Sequence, residues 1–185
     1  MLTNREDFKQ FMDGVNVQML IDRSIGNSNK GSKRWVNKLI SCDAESYIKN
    51  VAKLKEQMIF LNKDGVRLYA SCNSRDINKA HNYCMHKQID LIKNNDFVNF
   101  YSKINDKFIS ILMKPENRKT KLFILDIDKK DTREIDQCVI HLLIKVIFKY
   151  ETVKGWHYIC EPFNLNLLEV DEVEIKTDGL LLIDF

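Results

Sequence analysis

Residues 122–128, LFILDID, decide how this chain is read. The apolar run Leu122-Phe123-Ile124-Leu125 has the length and composition of a buried strand. Strand geometry then places Asp126 and Asp128, two residues apart, on one face at its end. Two adjacent carboxylates repel unless positive charge sits between them. Magnesium or manganese would supply it, because hard divalent cations take oxygen ligands. The next two residues, Lys129 and Lys130, could also neutralise the pair. In that case the motif is only a strand running into a charged turn.

Downstream, Asp131 followed by Glu134 matches a capping box and predicts a helix over 132–149, with Ile135, Val139, Leu142 and Val146 as its apolar face. A short strand, WHYIC, follows at 156–160. A loop through Pro162 then leads to an expected terminal hairpin, VEIK–TDG–LLLIDF. This order predicts an α/β (α+β) fold with a helix packed on a sheet. Upstream, MKPENRKTK at 113–121 is a basic loop, and helices are expected over 96–112, 75–94 and 43–57. Residues 58–73 predict a hairpin turning at Asp64-Gly65. Residues 23–34, RSIGNSNKGSKR, form a basic loop, and Phe8, Phe11, Met12 and Val15 predict an amphipathic helix over 5–22.

Other constellations are candidates for chemistry. In TVKGWH, Gly155 allows close backbone approach, and Lys154 and His157 beside it could hold a phosphate chain. The alternative is a turn with one incidental His. Along 66–73, Arg67, Tyr69, Ser71 and Asn73 share one face, with Arg75 just beyond; these types contact phosphates, sugars and bases. Lys30, Lys33, Arg34 and Trp35 offer a nucleic-acid contact on a loop that is otherwise only surface. Gly26 to Lys33 nearly spells a P-loop, but the Lys and Ser are swapped. His81, Cys84 and His86 lack a fourth ligand for zinc.

Composition bounds the rest. The chain has 185 residues, 44% hydrophobic and 30% charged, which suits a folded core and excludes global disorder. Five scattered cysteines with no C-x-x-C pair argue against a disulfide framework and for free thiols in a reducing cytoplasm. Neither a signal peptide nor a membrane-spanning stretch is expected. The net charge of +3 hides an asymmetry: residues 1–121 carry 22 bases and 13 acids, net +9, whereas residues 122–185 carry 7 and 13, net −6. A basic part suits a polyanion and an acidic part suits cations.

Taken in order, LFILDID, TVKGWHYI and VEIKTDGLLLI resemble the three catalytic motifs of the archaeo-eukaryotic primase superfamily, the primase-polymerases. RLYASCNSRD resembles that family's upstream strand, and the wider pattern is most similar to small phage-encoded members. The resemblance implies a bilobal core: a basic N-terminal α/β lobe (about 1–117) packed on an acidic recognition-motif-like sheet (about 118–185), with the active site in the cleft. It implies a metal-dependent nucleotidyltransferase using magnesium or manganese. Asp126, Asp128 and Asp178 would be metal ligands, with Asp184 competing for the third place. Lys154 and His157 would bind the incoming triphosphate, and Arg67, Ser71, Asn73 and Arg75 the nucleotide. Template, primer, nucleoside triphosphates and replication proteins would be its partners, with no membrane, in the cytoplasm (the host's, for a phage protein).

Two other readings stay open. A non-catalytic nucleic-acid-binding or inhibitor protein on a primase-like fold suits the small size. Lys176-x-Asp178-Gly179 also spells the nucleophile motif of covalent ligase-type nucleotidyltransferases, although only six residues follow Gly179.

Overall fold

Period-two apolar alternation along several short segments builds two antiparallel sheets in the computed structural model, which describes residues 14–23, 34–62, 64–93, 104–168 and 170–184. The elements run β1 (Asn16–Asp22), β2 (Arg34–Ser41), α1 (Ala44–Leu61), β3 (Val66–Ser71), α2 (Ile77–Lys93), α3 (Ile104–Leu112), β4 (Phe123–Ile127), α4 (Arg133–His141), β5 (Val146–Glu151), β6 (Trp156–Cys160), β7 (Val173–Lys176) and β8 (Leu180–Asp184). The first sheet has the order β2-β1-β3-β8 and the second β5-β6-β4-β7. Every neighbouring pair is antiparallel, which gives the α+β class. Among the described residues no helix is long and apolar enough to cross a membrane.

Three apolar clusters hold the layers together. One face of the first sheet (Leu20, Leu68, Leu181, Ile183) meets Tyr47, Val51 and Leu54 of α1 and Ile124 and Ile159 of the second sheet. Its other face (Val17, Met19, Ile21, Leu182) packs on α2 and α3 through Ala80, Cys84, Ile109 and Leu112. The second sheet turns Leu125, Ile127 and Tyr158 outward onto Ile135 and Val139 of α4. Each fully buried side chain of this size contributes about 1.5–3 kcal/mol. The alternation leaves Asp126, on the same face as Ile124, turned toward the first sheet.

Several expectations are corrected. Residues 16–22 form a strand, not the end of a helix: Gly14, at φ +90°, interrupts the chain, and Val17, Met19 and Ile21 then alternate. Residues 58–61 finish α1 instead of opening a hairpin, because Asn62 takes a left-handed C-cap (φ 42°) and bonds back to Met58 and Ile59. The helix expected over 132–149 ends at His141; Leu143 sits at φ 53°, and Val146 lies in β5. Its cap is Thr132, with no side-chain capping bond, because Asp131 is taken by Arg133.

The terminal hairpin is also absent. β7 pairs with β4, whereas β8 pairs with β3, so Thr177-Asp178-Gly179 carries the chain from one sheet to the other. The expected helix over 96–112 is seen over Ile104–Leu112; its earlier part, like residues 5–13 of the N-terminal helix, lies outside the described residues.

Candidate active-site cleft

Where β8 meets the second sheet, a cleft of about 390 Å³ opens. The second sheet lines it with Asp126 and Asp128 from the end of β4, His157 from β6, and Glu174 and Lys176 from β7. The first sheet contributes Arg67, Tyr69, Leu180 and Leu182, joined by Arg23 and by Thr152, Val153 and Lys154 of the β5–β6 turn. Register explains the convergence: Asp126 lies directly across from His157 on one side and from Glu174 on the other. Residues paired in this way project on the same face of a sheet.

Asp126 is the hub. His157 Nε2–H donates to its Oδ1 at 2.9 Å, and the Lys176 ammonium donates to its Oδ2. Lys176 also pairs with Glu174 at 3.0 Å. The His157 bond, with Lys176 adding to it, holds the Asp126 carboxyl well below the usual carboxylate range despite partial burial. Burial pulls the Lys176 ammonium down, but its bonds to Asp126 and Glu174 outweigh this and leave it above its ordinary value. On its other ring nitrogen, His157 Nδ1 lies 2.7 Å from the Tyr150 hydroxyl, which in turn accepts the Leu182 backbone N–H at 3.2 Å.

The β5–β6 turn is held close to β4. The Thr152 and Gly155 backbones bond across it, and Lys130 reaches both Glu151 (2.7 Å) and the Thr152 carbonyl (2.9 Å). A Cβ on Gly155 would stand 1.9 Å from the Ile127 carbonyl oxygen, so the close approach read from the sequence is real. Lys129 pairs with Glu134 and Glu172. The charge bound to Asp126 therefore comes from Lys176, not from the two lysines that follow the motif.

The other expected residues are placed as follows. Arg67 and Lys154 line the cleft, and among the described residues neither has an ion-pair partner. Asp178 does not join Asp126 and Asp128. Both of its oxygens are taken by Arg75, at 2.8 and 3.0 Å, and the Arg75 side chain is fully buried. Asp184 pairs with Lys55 of α1 at 2.6 Å and does not line the cleft either. Ser71 accepts the Val17 N–H inside the first sheet, and Asn73 ties Leu122 to the Thr177–Asp178 crossover. Ser71, Asn73 and Arg75 thus bind the protein to itself: Ser71 ends β3, the other two lie just beyond it, and all three are buried. Lys30 and Lys33 lie outside the described residues; Arg34 and Trp35 begin β2.

Sequence reasoning missed Glu174, Tyr150, Arg23 and the charge role of Lys176. A signal for two of them existed: Glu174 and Lys176 alternate in VEIK, as Asp126 and Asp128 do in LDID. Among the described residues no three His, Cys, Asp or Glu side chains form a ready metal cage. Asp126, Asp128 and Glu174 nevertheless line one cleft, and Lys176 already pairs with Asp126 and Glu174. Magnesium commonly binds one or two carboxylates and completes its shell with water and substrate phosphates. Comparison with protein-family models, with curated proteins and with solved structures finds no match for this chain.

Proposed function

We propose that this cleft binds a nucleoside triphosphate and that the protein is a metal-dependent nucleotidyltransferase of the primase-polymerase kind. One observation carries the reading. Residues from three separate segments that the motifs single out, Arg67, Asp126 with Asp128, and Lys154 with His157, line the same cleft. The second sheet adds support: its order β5-β6-β4-β7, with α4 between β4 and β5, fits the first half of a recognition-motif-like pattern, while a 3-10 turn at Leu165–Leu167 stands where that pattern has its second helix. Glu174 replaces Asp178 as the third carboxylate in this reading.

One or two carboxylates from among Asp126, Asp128 and Glu174 would hold magnesium or manganese, which supplies charge stabilisation at the attacking and leaving oxygens when bound. The chain's own groups do the positioning. Lys154 and Arg67 offer point charge and a guanidinium fork to phosphate oxygens. Leu180, Leu182 and Val153 form apolar wall. Lys176, paired with both Asp126 and Glu174, would compete with a bound cation for their oxygens. Phosphoryl transfer depends mainly on such positioning and charge placement.

The Asp126–Lys176 pair also favours a second reading, a metal-free phosphate- or nucleic-acid-binding protein, because that pair already neutralises the hub. The ligase-type reading loses support: a nucleophilic lysine must shed its proton, and Lys176 is held as a cation by two carboxylates. The deciding experiment is nucleotide incorporation on primed and unprimed templates with magnesium or manganese. Incorporation by the wild type, and its loss by a factor of a hundred or more in Asp126→Ala, is expected. Triphosphate binding without incorporation on any template would establish the second reading instead.

A further inference from the structure

His157 was expected to offer a ring N–H to phosphate. Its surroundings say otherwise, because both ring nitrogens are already bonded inside the protein. The proton positions follow from the partners. An ionised carboxylate only accepts, so the proton lies on Nε2 and points to Asp126. With the ring proton on Nε2, Nδ1 is left as an acceptor, so the Tyr150 phenol donates to it while its oxygen accepts the Leu182 N–H. The result is a directed chain: Leu182 N–H to Tyr150, Tyr150 O–H to His157, His157 N–H to Asp126. Tyr150 and His157 are both buried, and their rings meet edge to face at 5.1 Å. The chain begins on β8 in the first sheet and ends on β4 in the second.

We propose that Tyr150 and His157 are positioning residues: they fix the rotamer of Asp126 against the edge strand of the opposite sheet, and phosphate is left to Arg67 and Lys154. The inference rests on the cleft being the functional site, but its first test does not require turnover. Burial, which pushes the Tyr150 phenol well above its ordinary range, agrees with a hydroxyl that keeps its proton.

The first measurement is the nitrogen-15 spectrum of His157 in the wild-type protein, which separates the two neutral tautomers. The proton on Nε2, with Nδ1 as acceptor, is expected. A proton on Nδ1 overturns the proposal. In Tyr150→Phe the Nδ1 resonance should move, since its donor is gone; an unmoved resonance also overturns it.

The second measurement is calorimetric binding of inorganic tripolyphosphate without metal. Arg67→Met should weaken it about ten-fold, the loss of one charge-assisted contact, while Tyr150→Phe leaves it unchanged. Equal weakening by both variants overturns the division of roles. Where turnover is measurable, Tyr150→Phe should lower kcat about ten-fold with little change in KM. If the wild type shows no turnover, the nucleotidyltransferase reading fails, yet the tautomer and tripolyphosphate results still decide the roles of Tyr150 and His157.

Discussion

Replacing Gly155 by Ala tests how the cleft is built. Gly155 has no unusual φ; what it needs is space. The added Cβ would stand 1.9 Å from Ile127 O, 2.7 Å from Lys129 N and 2.9 Å from Ile127 C. All three are backbone atoms, so no rotamer change relieves the contact. Recovering ordinary separation requires β4 and β6 to part by more than about 1 Å, the scale at which overpacking costs about 1–3 kcal/mol. The pairs that part first are Ile127↔Trp156 and Asp126↔His157. Losing roughly two ladder hydrogen bonds adds about 1 kcal/mol each. The expected total is about 3–5 kcal/mol, which for a chain of this size lowers Tm by roughly 6–20 °C. Urea and thermal unfolding, followed by far-UV circular dichroism, measure both quantities. Lys154→Ala, one residue earlier and exposed, is the control and should stay within about 0.5 kcal/mol. A Gly155→Ala protein less than about 1 kcal/mol below wild type would refute the close-approach argument.

Asp178→Ala should destabilise the protein by about 3–5 kcal/mol, because it strands the buried Arg75 charge; an unchanged urea midpoint would return Asp178 to the list of candidate ligands. The Asp126 carboxyl titrates below its unfolded value of about 3.9, so its contribution is complete above that pH and is lost as pH falls through the lower, folded value. Urea midpoints measured from pH 5 downward should therefore fall more steeply for wild type than for Asp126→Asn, and parallel curves would contradict the His157 and Lys176 bonds. Burial pushes the Cys72 and Cys160 thiols up to about 12, whereas Cys42 is exposed. Iodoacetamide applied to the native protein at pH 8 should alkylate Cys42 and spare Cys72 and Cys160 by peptide mass spectrometry; modification of either buried thiol before unfolding would show that the core opens.

What was legible in the sequence was local. LFILDID announces a strand because its apolar run and its terminal carboxylates are contiguous, and the helix expected over 43–57 is found over Ala44–Leu61. Gly155 could be read because glycine between Lys154 and Trp156 has few other purposes. What was not legible depends on partners far away in the sequence. The Asp178-Gly179 turn has the same composition whether it joins two paired strands or carries the chain between sheets; β3 decides, and nothing near residue 178 reveals it. The same distance hid the third carboxylate, since Asp178 could be assigned only once its 103-residue link to Arg75 was visible. β1 and β5 were absorbed into helices because short strands with mixed faces imitate helical spacing, and only Gly14 and the left-handed Leu143 mark the breaks.

The crossing of β8 into the first sheet also governs how the protein folds. Its partner β3 precedes the whole of the second sheet, so the first sheet gains its fourth strand only after the intervening chain has been ordered or looped out. Closing such a long loop carries its entropic cost before the new contacts repay it, and high-contact-order pairings of this kind form slowly. On the ribosome, β1, β2 and β3 emerge with an unpaired edge that stays open until residues 180–184 are made. That edge is where a nascent chain of this protein is most exposed to wrong pairing, and Tyr150 meets its Leu182 partner only in the last step of assembly.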